Sequence, residues 1–199
     1  IMADLTVGST AYIGQYQTLN TNVTLDLGGH TLTFKSDATG ATRVMAVYGN
    51  KYASNFTIKN GKLIYDGKGG NIYMSNANAK LYINDNAKIY NGKAAIGGNL
   101  RVIGEAYLND NAQIYGGVAS QEFTNAKSFY LRGGNIYVDG SGYLEINGNV
   151  KIYDGIAKST EAYVDGDNHS YVQGGNIFTM GGVVMNNGEI QQIGTPEDI

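Results

Sequence analysis

Apolar and polar residues alternate along most of this chain in runs of three to six, broken by Gly- and Asn-rich corners. In Val23-Thr24-Leu25-Asp26-Leu27 and Thr31-Leu32-Thr33-Phe34 the alternation flanks Gly28-Gly29, which reads as two short strands joined at a tight corner. Residues 35–43 form a polar loop, and Val44–Tyr48 reads as a third strand. No stretch sustains an apolar period near 3.6, so almost no helix is expected.

The pattern repeats. Gly-Gly-Asn followed by an alternating strand begins at Gly69, Gly97, Gly133 and Gly174. A second phrase, strand then Asn-rich turn then strand, recurs as Tyr82–Gly92, Tyr107–Gly117 and Glu145–Gly155, with an earlier copy at Thr57–Gly67. Its Ile-Tyr pairs end at Tyr65, Tyr90, Tyr115 and Tyr153, at intervals of 25, 25 and 38 residues. Self-similarity of this period indicates a stacked array in which each repeat buries its apolar face on its neighbours. The longer interval is what one enlarged loop on a coil of constant girth would produce.

The phrases Val23-Thr24-Leu25-Asp26-Leu27-Gly28-Gly29-His30-Thr31-Leu32, GGNIY and Lys-Ile-Tyr-Asn-Gly resemble the right-handed parallel β-helix repeats of large bacterial cell-surface proteins, within the pectate-lyase-like superfamily. The resemblance covers residues 20 to 194. It implies an all-β, single-stranded right-handed parallel β-helix, a solenoid of about six coils with three short strands each. On this reading residues 1–199 are one domain: a cap-like coil at 1–22, repeated coils at 23–194 and a tail at 195–199. The domain is expected to be a piece of a longer secreted or cell-surface bacterial protein. Members of the group include adhesin-like and glycan-associated modules as well as polysaccharide lyases and glycoside hydrolases, and fold does not decide between them.

Alternation assigns each residue a side. Ile64, Ile89, Ile114 and Ile152 are placed inside, with Leu81, Ile83, Leu108, Leu144 and Ile146. Tyr65, Tyr90, Tyr115 and Tyr153 then form an outer column at about 4.8 Å per rung. Tyr82, Tyr107 and Glu145 share a second outer column. Ile72, Leu100, Ile136 and Ile177 point inward, which leaves Tyr73, Arg101, Tyr137 and Phe178 outside with the Arg101 guanidinium between tyrosine rings. Asn71, Asn99, Asn135 and Asn176, one per repeat, are expected to stack as a ladder of side-chain amides.

Composition narrows the function. The 199 residues carry a net charge of −3, which favours neither nucleic acid nor membrane surface as partner, and no apolar run is long enough for a membrane span. With no cysteine the fold has no disulfide. Gly at 29 residues and Pro at 1 match neither collagen nor a disordered linker.

Three features compete as sites. The tyrosine column offers aromatic surface to sugar rings; its bland alternative is mutual stabilisation of neighbouring rings, about 0.2–1 kcal/mol per pair. The enlarged loops 116–132 and 154–173 are expected to lie side by side and to gather Glu122, Phe123, Tyr130, Tyr163, Asp165, Asp167, His169 and Tyr171 as a ligand-binding cluster. Within it Asp165-Gly166-Asp167-Asn168 has a weak calcium-loop character, but the twelve-residue pattern is incomplete. Otherwise no cofactor or metal site is expected. A lyase or hydrolase site needs clustered or paired carboxylates, and Asp26 and Glu145 have no evident acidic partner in the repeats. The expectation is therefore a monomeric, non-catalytic adhesin-like module that binds a glycan or a host or cell-surface protein. Alternatives are a polysaccharide-degrading enzyme and a purely structural stalk.

Overall fold

The computed structural model describes residues 1–8, 11–13, 20–36, 42–48, 52–67, 69–120, 129–159 and 170–191. Among them there is no helix, and all strand pairings are parallel. Sheet I has seven strands: Leu5–Val7, Thr31–Ser36, Lys62–Gly67, Lys88–Tyr90, Gln113–Tyr115, Lys151–Tyr153 and Glu189–Gln191. Sheet II has six, from Ala11–Ile13 and Thr42–Val47 through the Gly-Gly-Asn strands Gly69–Met74, Leu100–Val102 and Ile136–Val138 to Ile177–Thr179. Sheet III also has six: Thr21–Asp26, Ser54–Lys59, Ala79–Asn84, Glu105–Leu108, Tyr143–Ile146 and Gly182–Met185. Two smaller sheets complete the set, one of Lys93–Ala94, Val118–Ser120 and Ile156–Lys158, the other of Phe129–Arg132 and Ser170–Gln173.

From Thr21 onward the chain visits sheets III, I and II in that order, again and again, an arrangement compatible with a parallel β-helix. Leu5–Val7 and Ala11–Ile13, expected in an irregular cap, pair as the first strands of sheets I and II.

The inward positions of the three sheets meet in one apolar core. Leu63, Ile89, Ile114 and Ile152 from sheet I, Ile72, Leu100 and Ile136 from sheet II, and Leu81, Ile83, Leu108, Leu144 and Ile146 from sheet III are all fully buried. Each such side chain contributes about 1.5–3 kcal/mol by leaving water. On the last strands the cover thins, and Val183, Met185 and Ile190 are exposed.

Corners rest on residues that tolerate a left-handed backbone. Asn60 (φ 56°), Asp85 (φ 56°), Asp110 (φ 62°) and Gly148 (φ 80°) recur between sheets III and I. Asx side chains and glycine carry this conformation at little cost.

One corner differs, and it corrects an expectation. Register pairs Lys59 with Asn84 and Lys62 with Lys88, so Asn60-Gly61 span the same corner as Asp85-Asn86-Ala87. With one residue fewer, the next strand slips by one, and a slip of one exchanges the two faces. Leu63, not Ile64, stands opposite Ile89; Ile64 is half-exposed and lies beside Tyr90, while Tyr65 is carried opposite the buried Phe34. The outer aromatic column therefore starts at Tyr90.

Candidate functional site

Tyr90, Tyr115 and Tyr153 pair in register and stack face to face, with centroids 4.6 and 4.8 Å apart and planes within 7° and 4°. The rings do not offer the flat surface that the sequence suggested. Both faces of Tyr115 are covered by its neighbours, so the column turns ring edges and hydroxyls outward. The Tyr153 hydroxyl hydrogen-bonds to Gln113 Oε1 at 3.3 Å. Burial, followed by the neighbouring phenols Tyr90 and Tyr153, pushes the Tyr115 hydroxyl up to about 12. The phenols of Tyr90 and Tyr153 are also raised, chiefly by burial.

Behind this column runs the asparagine ladder. Nδ2 of Asn71 donates to Oδ1 of Asn99, Asn99 to Asn135 and Asn135 to Asn176, each at 2.7 Å. The second Nδ2 proton reaches the carbonyls of Tyr90, Tyr115, Tyr153 and Gln191 in turn, at 2.7–2.9 Å. Oδ1 of Asn99, Asn135 and Asn176 also accepts from the amides of Gly92, Gly117 and Gly155, at 2.8 Å each. A Cβ at Gly117 would lie 2.2 Å from the Gly134 carbonyl oxygen and 2.7 Å from Asn135 Oδ1, which is why the Tyr-x-Gly phrase ends in glycine. A second amide ladder, Asn84, Asn109, Asn147 and Asn186, links successive strand ends of sheet III at 2.6–3.0 Å. Its repeat signal is the Asn that ends or directly follows each of the last four sheet III strands.

The outer face of sheet III carries a polar network only half anticipated. Tyr82 and Tyr107 stack at 5.0 Å, and Glu145 follows in the same column. The neighbouring column holds Lys80, Glu105 and Tyr143, two residues earlier in each strand and so on the same face. Lys80 Nζ lies 2.7 Å from Glu105 Oε2, which also accepts from the Tyr107 hydroxyl at 2.5 Å. The Tyr143 hydroxyl donates to Glu145 at 2.9 Å, and Asn147 Nδ2 donates to it at 3.1 Å. Glu105 is thus the acidic neighbour of Glu145 that the sequence did not reveal. Lys80 first, then the Tyr107 hydroxyl, hold the Glu105 carboxyl below its ordinary range. A glycosidase acid needs the opposite shift, upward toward neutrality. Asp26 is likewise lowered, chiefly by the Gly28 amide, and its ion-pair partner is Lys59 at 3.4 Å. The Glu105 and Asp26 carboxylates can accept hydrogen bonds; they are poor proton donors near pH 7.

On sheet II the expected column forms. Arg101 Cζ lies 5.3 Å from the Tyr73 centroid and 5.9 Å from that of Tyr137, and its Nη2 is 3.8 Å from Asp139. The column ends as expected with Tyr137 on Phe178 at 5.8 Å, and the stack then continues through residues that the repeats did not link: Phe178 onto Arg132 at 4.6 Å, Arg132 onto Tyr130 at 4.3 Å, and Tyr130 onto Tyr171 at 5.3 Å. Arg132 escapes a column argument because it sits at the corner before Gly133 (φ 63°), from which its side chain reaches across to Phe178.

Tyr130 and Tyr171 belong to the strands that flank the two long loops, and these strands pair in register, so the flanks lie side by side as expected. The two residues are 47% and 44% exposed. Glu122, Phe123, Tyr163, Asp165, Asp167 and His169, with the calcium-like turn, lie outside the described residues.

Comparison with protein-family models, with curated proteins and with solved structures finds no match to the chain.

Proposed function

We propose that this chain is a non-catalytic, adhesin-like surface module, wound as a right-handed parallel β-helix of about six coils, that holds an extended glycan or a cell-surface protein against one edge. The recurrent visiting order of three parallel sheets and the single shared core support the winding. The observation that carries the binding reading is the Tyr130–Tyr171 pair: two stacked rings, each almost half exposed, at the root of the two longest connections. Exposed aromatic rings on a rigid scaffold are the usual anchors of recognition. A secreted or cell-surface location belongs to the same proposal. Its support is the resemblance of the repeated phrases to those of bacterial cell-surface proteins.

The test is binding of the 199-residue chain to an array of polysaccharides and extracellular-matrix proteins, with Tyr130→Ala and Tyr171→Ala beside it. Saturable binding that weakens at least roughly tenfold in folded variants is expected, as for an aromatic hot spot. Binding to nothing would leave a purely structural stalk, and product release from any polymer would make it an enzyme.

A further inference from the structure

The Arg132 guanidinium is unusual in how it is held. It lies between the rings of Tyr130 and Phe178, at 4.3 and 4.6 Å, so both its faces are covered. Its Nε donates to Gln173 Oε1 at 2.8 Å and its Nη1 to Met180 Sδ at 3.8 Å. Both partners are neutral. Arg101, by contrast, has Asp139 beside it. Among the described residues Arg132 has no carboxylate partner, and a guanidinium has five N–H donors, of which these contacts use two. What is left is a flat, fixed edge with full positive charge, beside the exposed rings of Tyr130 and Tyr171 and the exposed Met180.

Such an edge matches a planar or tetrahedral oxyanion, which it meets through two parallel N–H···O bonds. Because the stack already fixes the side chain, binding costs little further ordering. We propose that Arg132 is the docking point for an oxyanion group, a sulfate ester or a carboxylate, carried by an acidic polysaccharide whose adjacent ring meets the exposed edges of Tyr130 and Tyr171. This rests on the glycan-binding reading above and specifies its ligand class. The chain's net charge of −3 makes the point sharper, since no overall attraction would draw a polyanion here and a local site must do so.

The experiment measures binding of the 199-residue chain to dextran sulfate, to alginate and to uncharged dextran, for the native sequence and for Arg132→Gln, Arg132→Lys and Lys62→Gln. At least one charged polymer is expected to bind about tenfold or more tightly than dextran, and Arg132→Gln to lose that margin, the effect of one charge-assisted bidentate contact. Arg132→Lys keeps the charge without the fork and should fall between the two. Lys62→Gln, which removes one positive charge from sheet I, should bind as the native chain does. Preference for dextran sulfate or for alginate identifies the source of the oxyanion, and either supports the site. Equal losses in Lys62→Gln and Arg132→Gln would reduce the effect to unspecific charge and overturn the proposal. Equal binding of dextran and the charged polymers would overturn it too, while leaving the glycan-binding reading intact. Binding of no polymer would overturn the proposal as well, and the array of polysaccharides and matrix proteins would then decide the broader binding reading. If Arg132→Gln fails to fold, the Arg132→Lys ratio between charged polymer and dextran decides: an unchanged ratio contradicts the fork.

Discussion

Asn135 shows how much one side chain does in this chain. It is fully buried; its Nδ2 serves Tyr153 O and Asn176 Oδ1, and its Oδ1 serves Gly117 N and Asn99 Nδ2. Asn135→Ala strands several of these groups without water, at about 1–3 kcal/mol for each orphan. The expected loss is therefore at least about 3 kcal/mol in urea unfolding, larger than for Asn176→Ala, whose amide lies in the exposed last rung. Tyr115 gives a second prediction. Its phenol is raised in the folded chain to about 12 from an ordinary 10.0, so the folded state favours the neutral form. An unfolded chain ionises first as pH rises past 10.0, and the stabilisation, complete below that value, is lost on the way to about 12. Tyr90, Tyr107, Tyr143 and Tyr153 are shifted in the same direction. Alkaline titration followed by circular dichroism should show cooperative unfolding in that window. In Tyr115→Phe the loss of stability across it should be shallower.

At the level of strands and corners, alternation with a period of two made most of the architecture legible before any coordinates. Ile72, Leu100 and Ile136 go in because Tyr73, Arg101 and Tyr137 alternate with them on the other face of the sheet, and strand pairing keeps these columns in register although the repeats differ in length. The same logic placed the Asn71–Asn176 ladder and the Arg101 sandwich. It failed at Tyr65, because a match of Ile-Tyr to Ile-Tyr ignores the length of the preceding corner, and two residues there replace three. Nor could it show that the tyrosine rings spend their faces on one another, which is set by rotamer and rung spacing. Arg132 was missed because it ends a strand, Phe129–Arg132, that lies outside the repeated phrases. An alanine inserted between Asn60 and Gly61 would make this corner as long as the later ones. It should be tolerated, at a cost under about 1 kcal/mol, whereas an alanine inserted between Leu81 and Tyr82 would turn one half of a buried strand outward and should abolish cooperative unfolding.

Across the whole molecule, the sheets divide the labour. Sheet I carries a column of mutually stacked phenols, sheet III a hydrogen-bonded lattice of carboxylates, tyrosines and a lysine, and sheet II, with the two-stranded sheet of Phe129–Arg132 and Ser170–Gln173, an alternation of guanidinium groups and rings. The first two use up their functional groups on themselves. The third runs out onto exposed rings beside the long loops, which is why binding is assigned there. All of this depends on strands distant in sequence lying side by side in parallel, while strands that are consecutive in the chain belong to different sheets. The chain has no cysteine, so engineered pairs report this cleanly. In Lys88→Cys/Gln113→Cys the two positions are direct partners on neighbouring parallel strands, and mild oxidation should close an intramolecular disulfide with the fold retained. If that pair stayed reduced while Tyr82→Cys/Tyr90→Cys closed across the Asp85–Ala87 corner, the consecutive strands would be a hairpin, and the stacked parallel architecture would be contradicted.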